Sequence, residues 1–217
     1  MHHIQKHILK VLTYQAQARF SELRPPRTDT NLFSYHLKSL LRGGLVSRGE
    51  RSYSLSATGL LYVDRISSER FEQRAQAKII TATIFRDEAG RVALVKRNKQ
   101  PFIDSWGLPS GKIHLGETVA EAAWREALEK TGLRTEVPLQ HIGDGYIHSY
   151  VENQLVSSVL VHVFEGGVVP SEECASEVKW VAWPEASCPL LPGTAALIEK
   201  ALTCDGQRFF IELVERR

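Results

Sequence analysis

Residues 111–133 read GKIHLGETVAEAAWREALEKTGL. From Thr118 to Thr131 the stretch holds good helix formers with no Gly or Pro inside, and Gly132 follows as a stop signal. Val119, Ala122, Ala123 and Ala127 recur at helical spacing and should face a core. Glu126, Glu129 and Lys130 stand at i, i+3 and i+4, so they project from one side. Two carboxylates so placed can hold Mg²⁺, a hard ion that takes oxygen ligands and keeps several waters for itself and for phosphates. Such an ion would neutralise charge on a bound phosphate and lower the pKa of an attacking water. The plainer reading is a solvated amphipathic helix in which Glu126 pairs with Lys130, worth roughly 0.2–0.5 kcal/mol. What separates the two is spacing. Gly111, Glu117, Arg125-Glu126, Glu129 and Gly132-Leu133 stand at intervals that no helix requires, and Trp106-Gly107-Leu108-Pro109-Ser110 precedes them.

Those residues closely resemble the Nudix box, the signature of a family that hydrolyses a nucleoside diphosphate linked to another moiety. The resemblance implies an α/β/α Nudix sandwich and a divalent cofactor, Mg²⁺ or Mn²⁺. It also implies that Glu129 is a metal ligand and Glu126 a ligand or catalytic base. By the same resemblance the Gly111 carbonyl supplies another ligand, Arg125 orients Glu126, and Glu117 supports the loop or the metal shell. One position departs, since Lys130 stands where the family usually has a second adjacent Glu. A cation there removes a ligand and repels Mg²⁺. Two outcomes stay open: retained hydrolysis, or a weakly active or inactive domain that senses its ligand.

Charge divides the chain more sharply than its net of +2 suggests. Residues 1–77 hold 12 Lys/Arg against 6 Asp/Glu, and residues 78–217 hold 15 against 19. A basic first part joined to an acidic remainder points to a nucleic-acid contact or to an internal docking surface. In the basic part, Ile4, Ile8, Leu9, Val11 and Leu12 mark an amphipathic helix. Phe20-Ser21-Glu22-Leu23 marks a short second one, closed by Pro25-Pro26. A third, capped by Asp29 or Thr30 and ended by Gly43-Gly44, should bury Phe33, Leu37, Leu40 and Leu41. Two extended runs, Leu45-Val46-Ser47 and Tyr53-Ser54-Leu55, flank Arg48-Gly49-Glu50-Arg51, where Gly49 suits the first central position of a tight turn. A further helix is expected from about Thr58 to Ala77.

This order resembles the winged helix-turn-helix of bacterial and archaeal regulators, carried by Ser34-Tyr35-His36-Leu37-Lys38, Gly44-Leu45-Val46 and Tyr53-Ser54-Leu55. The resemblance implies that the third helix enters the major groove of double-stranded DNA. Lys38, Arg42, Arg48 and Arg51 would then meet phosphates, with Asn31, Ser34 and Tyr35 available for base edges. The alternative is a module that packs on the rest of the chain or dimerises. His36 reads as a packed, hydrogen-bonded residue.

Beyond the basic part, Lys78 to Phe85 and Val92 to Val95 read as strands around an Asp87–Gly90 turn. Arg97 leaves the second strand where a guanidinium could grip substrate phosphate. Leu155 to Phe164, Val178 to Trp183 and Arg208 to Val214 read as further strands, and Pro192 to Leu202 as a helix. Phe102, Trp106, Tyr146 and Tyr150 could stack on a base or simply pack. His148 reads as a loop residue, and Glu172, Glu173 and Glu177 as a later acidic loop. Cys174, Cys188 and Cys204 are scattered, which fits a reduced cytoplasm. No apolar run is long enough to span a bilayer and the N-terminus lacks the apolar core of a secretory signal. The expected organisation is a winged helix at 1–66, a helical linker at 67–77 and a Nudix domain at 78–217. Together they suggest a homodimeric, ligand-responsive regulator that binds and hydrolyses a nucleoside diphosphate derivative, or a metal-dependent hydrolase whose first domain serves only oligomerisation or protein interaction.

Overall fold

The computed structural model describes residues 1–67, 72, 75–133, 138–167 and 178–217. Glu172, Glu173 and Glu177 lie outside these. The chain divides into two compact units, Met1–Ala75 and Gln76–Arg217.

The first unit holds α1 (His3–Tyr14), α2 (Phe20–Leu23), α3 (Thr30–Arg42), the hairpin β1 (Val46–Arg48) and β2 (Tyr53–Leu55), and α4 (Ala57–Asp64). The Asp29 carboxylate caps α3 by accepting from the Asn31 and Leu32 amides, both at 2.9 Å. Ile4, Ile8, Leu9 and Leu12 of α1 meet Leu23, Phe33, Leu37, Leu40 and Val46 in one buried cluster. Ala18 bridges Tyr53, adding a third short extended segment to the hairpin. Two expectations change. The Gly49 amide donates to the Ser52 carbonyl at 2.8 Å, so Glu50 and Arg51 form the tip and Gly49 precedes it. The last helix of this unit is eight residues long and ends at Asp64, with Arg65 as its C-cap and Ile66 buried beyond it.

The second unit is built on β3 (Lys78–Arg86), β4 (Val92–Lys96), β5 (Trp106–Gly107), β6 (Ser110–Lys112), α5 (Val119–Thr131), β7 (Gln140–Val151), β8 (Gln154–Gly167), β9 (Val178–Val181), α6 (Thr194–Thr203) and β10 (Phe209–Arg216). Its eight strands form one mixed sheet with the path β10-β7-β8-β3-β4-β5, while β6 pairs with β3 and β9 with β4. The β10–β7 and β3–β8 pairs are parallel; the others are antiparallel. Side-chain alternation assigns the two faces. Ala82, Ile84, Ile147, Val161, Val163 and Ile211 pack with Leu197, Ile198 and Ala201 of α6. Phe85 and Ala93 pack on the other face with Ala127 of α5 and Leu133.

Sequence patterning missed β7, although it lies between β10 and β8 in the sheet. Its run QHIGDGYIHSYV is glycine- and polar-rich, and a register shift between His141 and Gly143 breaks its alternation. His148 is therefore a strand residue, its Nδ1 2.9 Å from the Ser158 hydroxyl. The helix expected from Pro192 starts at Thr194 instead, with Gly193 at its N-cap in the left-handed region.

Candidate functional site

The capping box at Thr118 starts α5, with the Thr118 hydroxyl and Glu121 carboxylate satisfying each other's backbone amides. Gly132, at φ 71°, ends it in the left-handed region that glycine tolerates. Between these stops α5 lies over β6 and β3 and turns Glu126 onto Gly111. A β-carbon at residue 111 would fall 1.8 Å from the Glu126 carboxyl carbon, so the absence of a side chain there makes room for the carboxylate.

Glu126 is 7% exposed, a burial that a carboxylate tolerates only with partners. The partner is Arg125, whose Nη1 donates to Glu126 Oε1 at 2.7 Å. The same guanidinium grips Glu117 in fork geometry, Nε to Oε1 at 2.7 Å and Nη2 to Oε2 at 2.9 Å, and Nη2 also reaches the Lys112 carbonyl. Glu117 Oε2 additionally accepts from the His114 amide at 2.9 Å. The Arg125 hydrogen bonds, followed by that amide, lower the Glu117 pKa to about 2. The Arg125 pKa is raised in turn by Glu117 and then Glu126. One arginine thus clamps the loop before α5 and fixes the buried carboxylate on it.

Glu129 follows on the open side, its side chain 54% exposed and 3.6 Å from Arg125 Nη1. Lys130 is exposed in the last turn, where its charge complements the helix C-terminus. The i to i+4 pair of Glu126 with Lys130 does not form; the adjacent Arg125 takes its place.

Arg97 is half-buried and holds the following loop, Nε to the Pro101 carbonyl at 2.6 Å and Nη2 to the Gln100 carbonyl at 3.3 Å. A phosphate grip would have to compete with those bonds. Its position is nonetheless electropositive. Partial burial and the charges of Lys112, Arg97 and Lys99 lower the Lys78 pKa, so these cations share one neighbourhood. Lys78 and Lys112 pair with Val159 and Ile80 and so face the α6 side of the sheet, away from Glu126. Sequence reading singled out only Arg97 among them, because the others become neighbours through the sheet.

Of the aromatic candidates, Trp106 packs against the α6-side core. Phe102 lies under Arg217, ring to guanidinium 5.2 Å, and Tyr150 under Arg216, at 4.6 Å. Tyr146 stands edge-on to His148 on the half-exposed side of β7.

In the first unit, Asn31, Tyr35, Lys38 and Arg42 are exposed on α3 with Ser34 half-buried beside them. Arg48 and Arg51 are exposed at the hairpin. His36 is 8% exposed and stacks on His2, ring centroids 3.9 Å apart. It is packed as expected, but its Nδ1 has no hydrogen-bond partner among the described residues.

A mixed sheet with a helix on each face, and carboxylates gathered where one helix crosses a glycine strand, defines a Nudix-type α/β unit. Residues 77–202, more than half of the chain, match the NUDIX domain, and the chain belongs to the Nudix family. It is 41% identical over 51 residues to the ADP-ribose pyrophosphatase of Methanocaldococcus jannaschii, covering 24% of this chain and 30% of that enzyme. To the human 8-oxo-dGDP phosphatase NUDT18 it is 37% identical over 57 residues, 26% of this chain and 18% of that protein. The chain therefore spans less than a third of either relative. The structure also resembles the NUDIX domain of Shewanella oneidensis NrtR crystallised with ADP-ribose, at TM-score 0.51 and 19% identity, covering 66% of this chain and 96% of that one. No helix among the described residues is long and apolar enough to cross a membrane.

Proposed function

We propose that the second unit binds and hydrolyses a nucleoside diphosphate linked to another moiety, with Mg²⁺ or Mn²⁺, and that the first unit is a DNA-binding winged helix that makes the chain a ligand-responsive regulator. The observation that carries the hydrolase reading is the Gly111–Glu126 contact locked by Arg125. The donors fit a hard cation: the Glu126 oxygen not bonded to Arg125, the Glu129 carboxylate and the Gly111 carbonyl. A bound ion would neutralise diphosphate charge and lower the pKa of the attacking water. The chain's own residues do the rest. Arg125 holds Glu126 aimed at Gly111, and Glu126 can accept the proton that leaves the water. Water adds to one phosphorus, the bridging P–O bond breaks, and two monophosphates leave.

The DNA reading rests on α3, whose buried face is apolar and whose exposed face carries Asn31, Tyr35, Lys38 and Arg42. A homodimer is part of it, since two-fold half-sites need two reading helices. Leu60 and Leu61 of α4, 57% and 40% exposed, offer an apolar surface for that pairing. The same surface favours a second reading, a hydrolase whose first unit serves only assembly.

A panel of nucleoside diphosphate derivatives, including ADP-ribose and 8-oxo-dGDP, tests the enzyme. Turnover should require Mg²⁺ or Mn²⁺ and fall on the order of 10²–10⁴-fold in Glu126→Gln. Equal turnover in that variant would sink the assignment, and silence across the panel with ligand-induced thermal stabilisation would leave a sensor.

A further inference from the structure

Across the sheet, Asp144 of β7 pairs with His162 of β8, His162 with Thr81 of β3, and Thr81 with Gly111 of β6. Paired residues share a face, so this row lies on the α5 side, the side of Glu126. At about 4.8 Å between neighbouring strands, His162 stands roughly 10 Å from Gly111. His141 would ordinarily point away from Asp144, because residues three apart on a strand face opposite sides. The bulge at Ile142 reverses that. It adds one residue to β7 between the His141–Phe164 and Gly143–Val163 pairs, and so returns His141 to the face of Asp144 and His162.

The result is convergence on one oxygen. Asp144 Oδ1 is 2.6 Å from His162 Nδ1 and 3.0 Å from His141 Nε2. One ligand atom from each of the three residues lies within 4.8 Å of the others, and all three side chains are half-buried. The neighbouring hydroxyl in the row, Thr81 Oγ1, is fully buried and has no hydrogen-bond partner among the described residues.

We propose that His141, Asp144 and His162 form a second metal site, specific for a borderline transition-metal ion such as Zn²⁺ or Co²⁺ and separate from the oxygen-lined Mg²⁺ site. Two imidazoles and one carboxylate suit such ions and not Mg²⁺. An ion with bonds of about 2.0–2.2 Å keeps its ligands roughly 3–3.5 Å apart. Asp144 Oδ1 already stands 2.6 and 3.0 Å from the two ring nitrogens, and the three ligand atoms lie within 4.8 Å of one another, so small side-chain shifts suffice. Without metal, each contacting ring nitrogen donates to the carboxylate. Moving each proton to the other ring nitrogen frees both lone pairs without changing the charge of a neutral imidazole. Three protein ligands leave at least one coordination position open toward the half-exposed sheet face. The proposal stands on this geometry whether or not the box hydrolyses anything.

Full-length protein in excess Mg²⁺, which keeps the oxygen site filled, would be titrated with Co²⁺ while visible d–d absorption is followed. A single equivalent should bind. His162→Ala and Asp144→Asn should each weaken binding by more than the ~10–100-fold that loss of a mere supporting contact costs. His141→Ala gives an independent variant if either fails to fold, and circular dichroism separates a lost ligand from a lost fold. The signal should survive in Glu126→Gln/Glu129→Gln and in His2→Ala/His3→Ala, which breaks up the other histidine cluster, His2, His3 and His36. Undiminished binding in the triad variants, or loss of the signal in either control, overturns the proposal. So does the absence of Co²⁺ binding in the wild-type chain, which would leave the triad a hydrogen-bonded cluster only.

Discussion

A methyl group at residue 111 would lie 1.8 Å from the Glu126 carboxyl carbon, and 1.9 and 2.2 Å from its oxygens. Gly111→Ala must therefore push the carboxylate off its seat and away from Arg125. Turnover of the best substrate in the panel should drop on the order of 100-fold, the cost of misplacing a catalytic group by about 1 Å. An alanine variant with full activity would show that Glu126 works from elsewhere. Lys130 is exposed beside this site and carries the wrong charge for a cation. Lys130→Glu should reduce the Mg²⁺ concentration for half-maximal turnover by roughly tenfold, because carboxylate count tunes divalent affinity. An unchanged Mg²⁺ dependence would mean that the lysine does not attenuate the box. The Glu117 clamp makes a pH prediction. Its folded pKa, about 2, is depressed from the ordinary 4.5, so its stabilisation is fully present above pH 4.5 and is lost as pH falls toward 2. Denaturation of wild type and Glu117→Gln at several pH values should show a gap that is constant above about pH 5 and closes below it. A gap that widens in acid would refute the clamp.

At the scale of elements, α3 and the hairpin separate DNA binding from assembly. Arg48 and Arg51 are exposed at and beside the tip and make no salt bridge among the described residues. If both meet phosphates, Arg48→Ala/Arg51→Ala should lower the slope of log affinity against log salt by about two. An unaltered slope would leave the hairpin without a phosphate role. These elements were legible in sequence because each has its own local signal. Asp29 caps α3, Gly43-Gly44 close it, and Phe33, Leu37 and Leu40 mark its buried face at helical spacing. The Nudix helix was equally legible, from its run of helix formers beginning at Thr118 and its stop at Gly132. What stayed hidden depends on strand pairing. Pattern reading requires strict alternation, and the Ile142 bulge with Gly143 and Gly145 erased it in β7. The Arg125 clamp on Glu117 spans eight residues and closes only when the loop folds back on α5. The cation neighbourhood and the His141–Asp144–His162 triad likewise join residues that only the sheet register brings together.

For the whole molecule, the regulator reading demands a coupling between two functions carried by two compact units. Thermodynamic linkage makes that demand strict. If a nucleotide ligand changes duplex affinity by some factor, the duplex must change ligand affinity by the same factor, typically about 5–150-fold in allosteric proteins. Hydrolysis would blur the measurement, so the Glu126→Gln chain is the protein to use: it keeps the buried side chain and its volume while removing the charge. ADP-ribose and duplexes selected from a random pool would be titrated alone and then each in the presence of the other. Equal factors in the two directions, both lost in Arg48→Ala/Arg51→Ala at the duplex arm, are the expected result for a ligand-responsive regulator. Affinities that ignore each other, with turnover intact in the wild-type chain, would instead assign the first unit to assembly, where exposed Leu60 and Leu61 supply the contact. Leu60→Asp then distinguishes the two at the level of mass: it should convert a dimer to a monomer without touching the Gly111–Glu126 contact, and a dimer that survives it must pair through another surface.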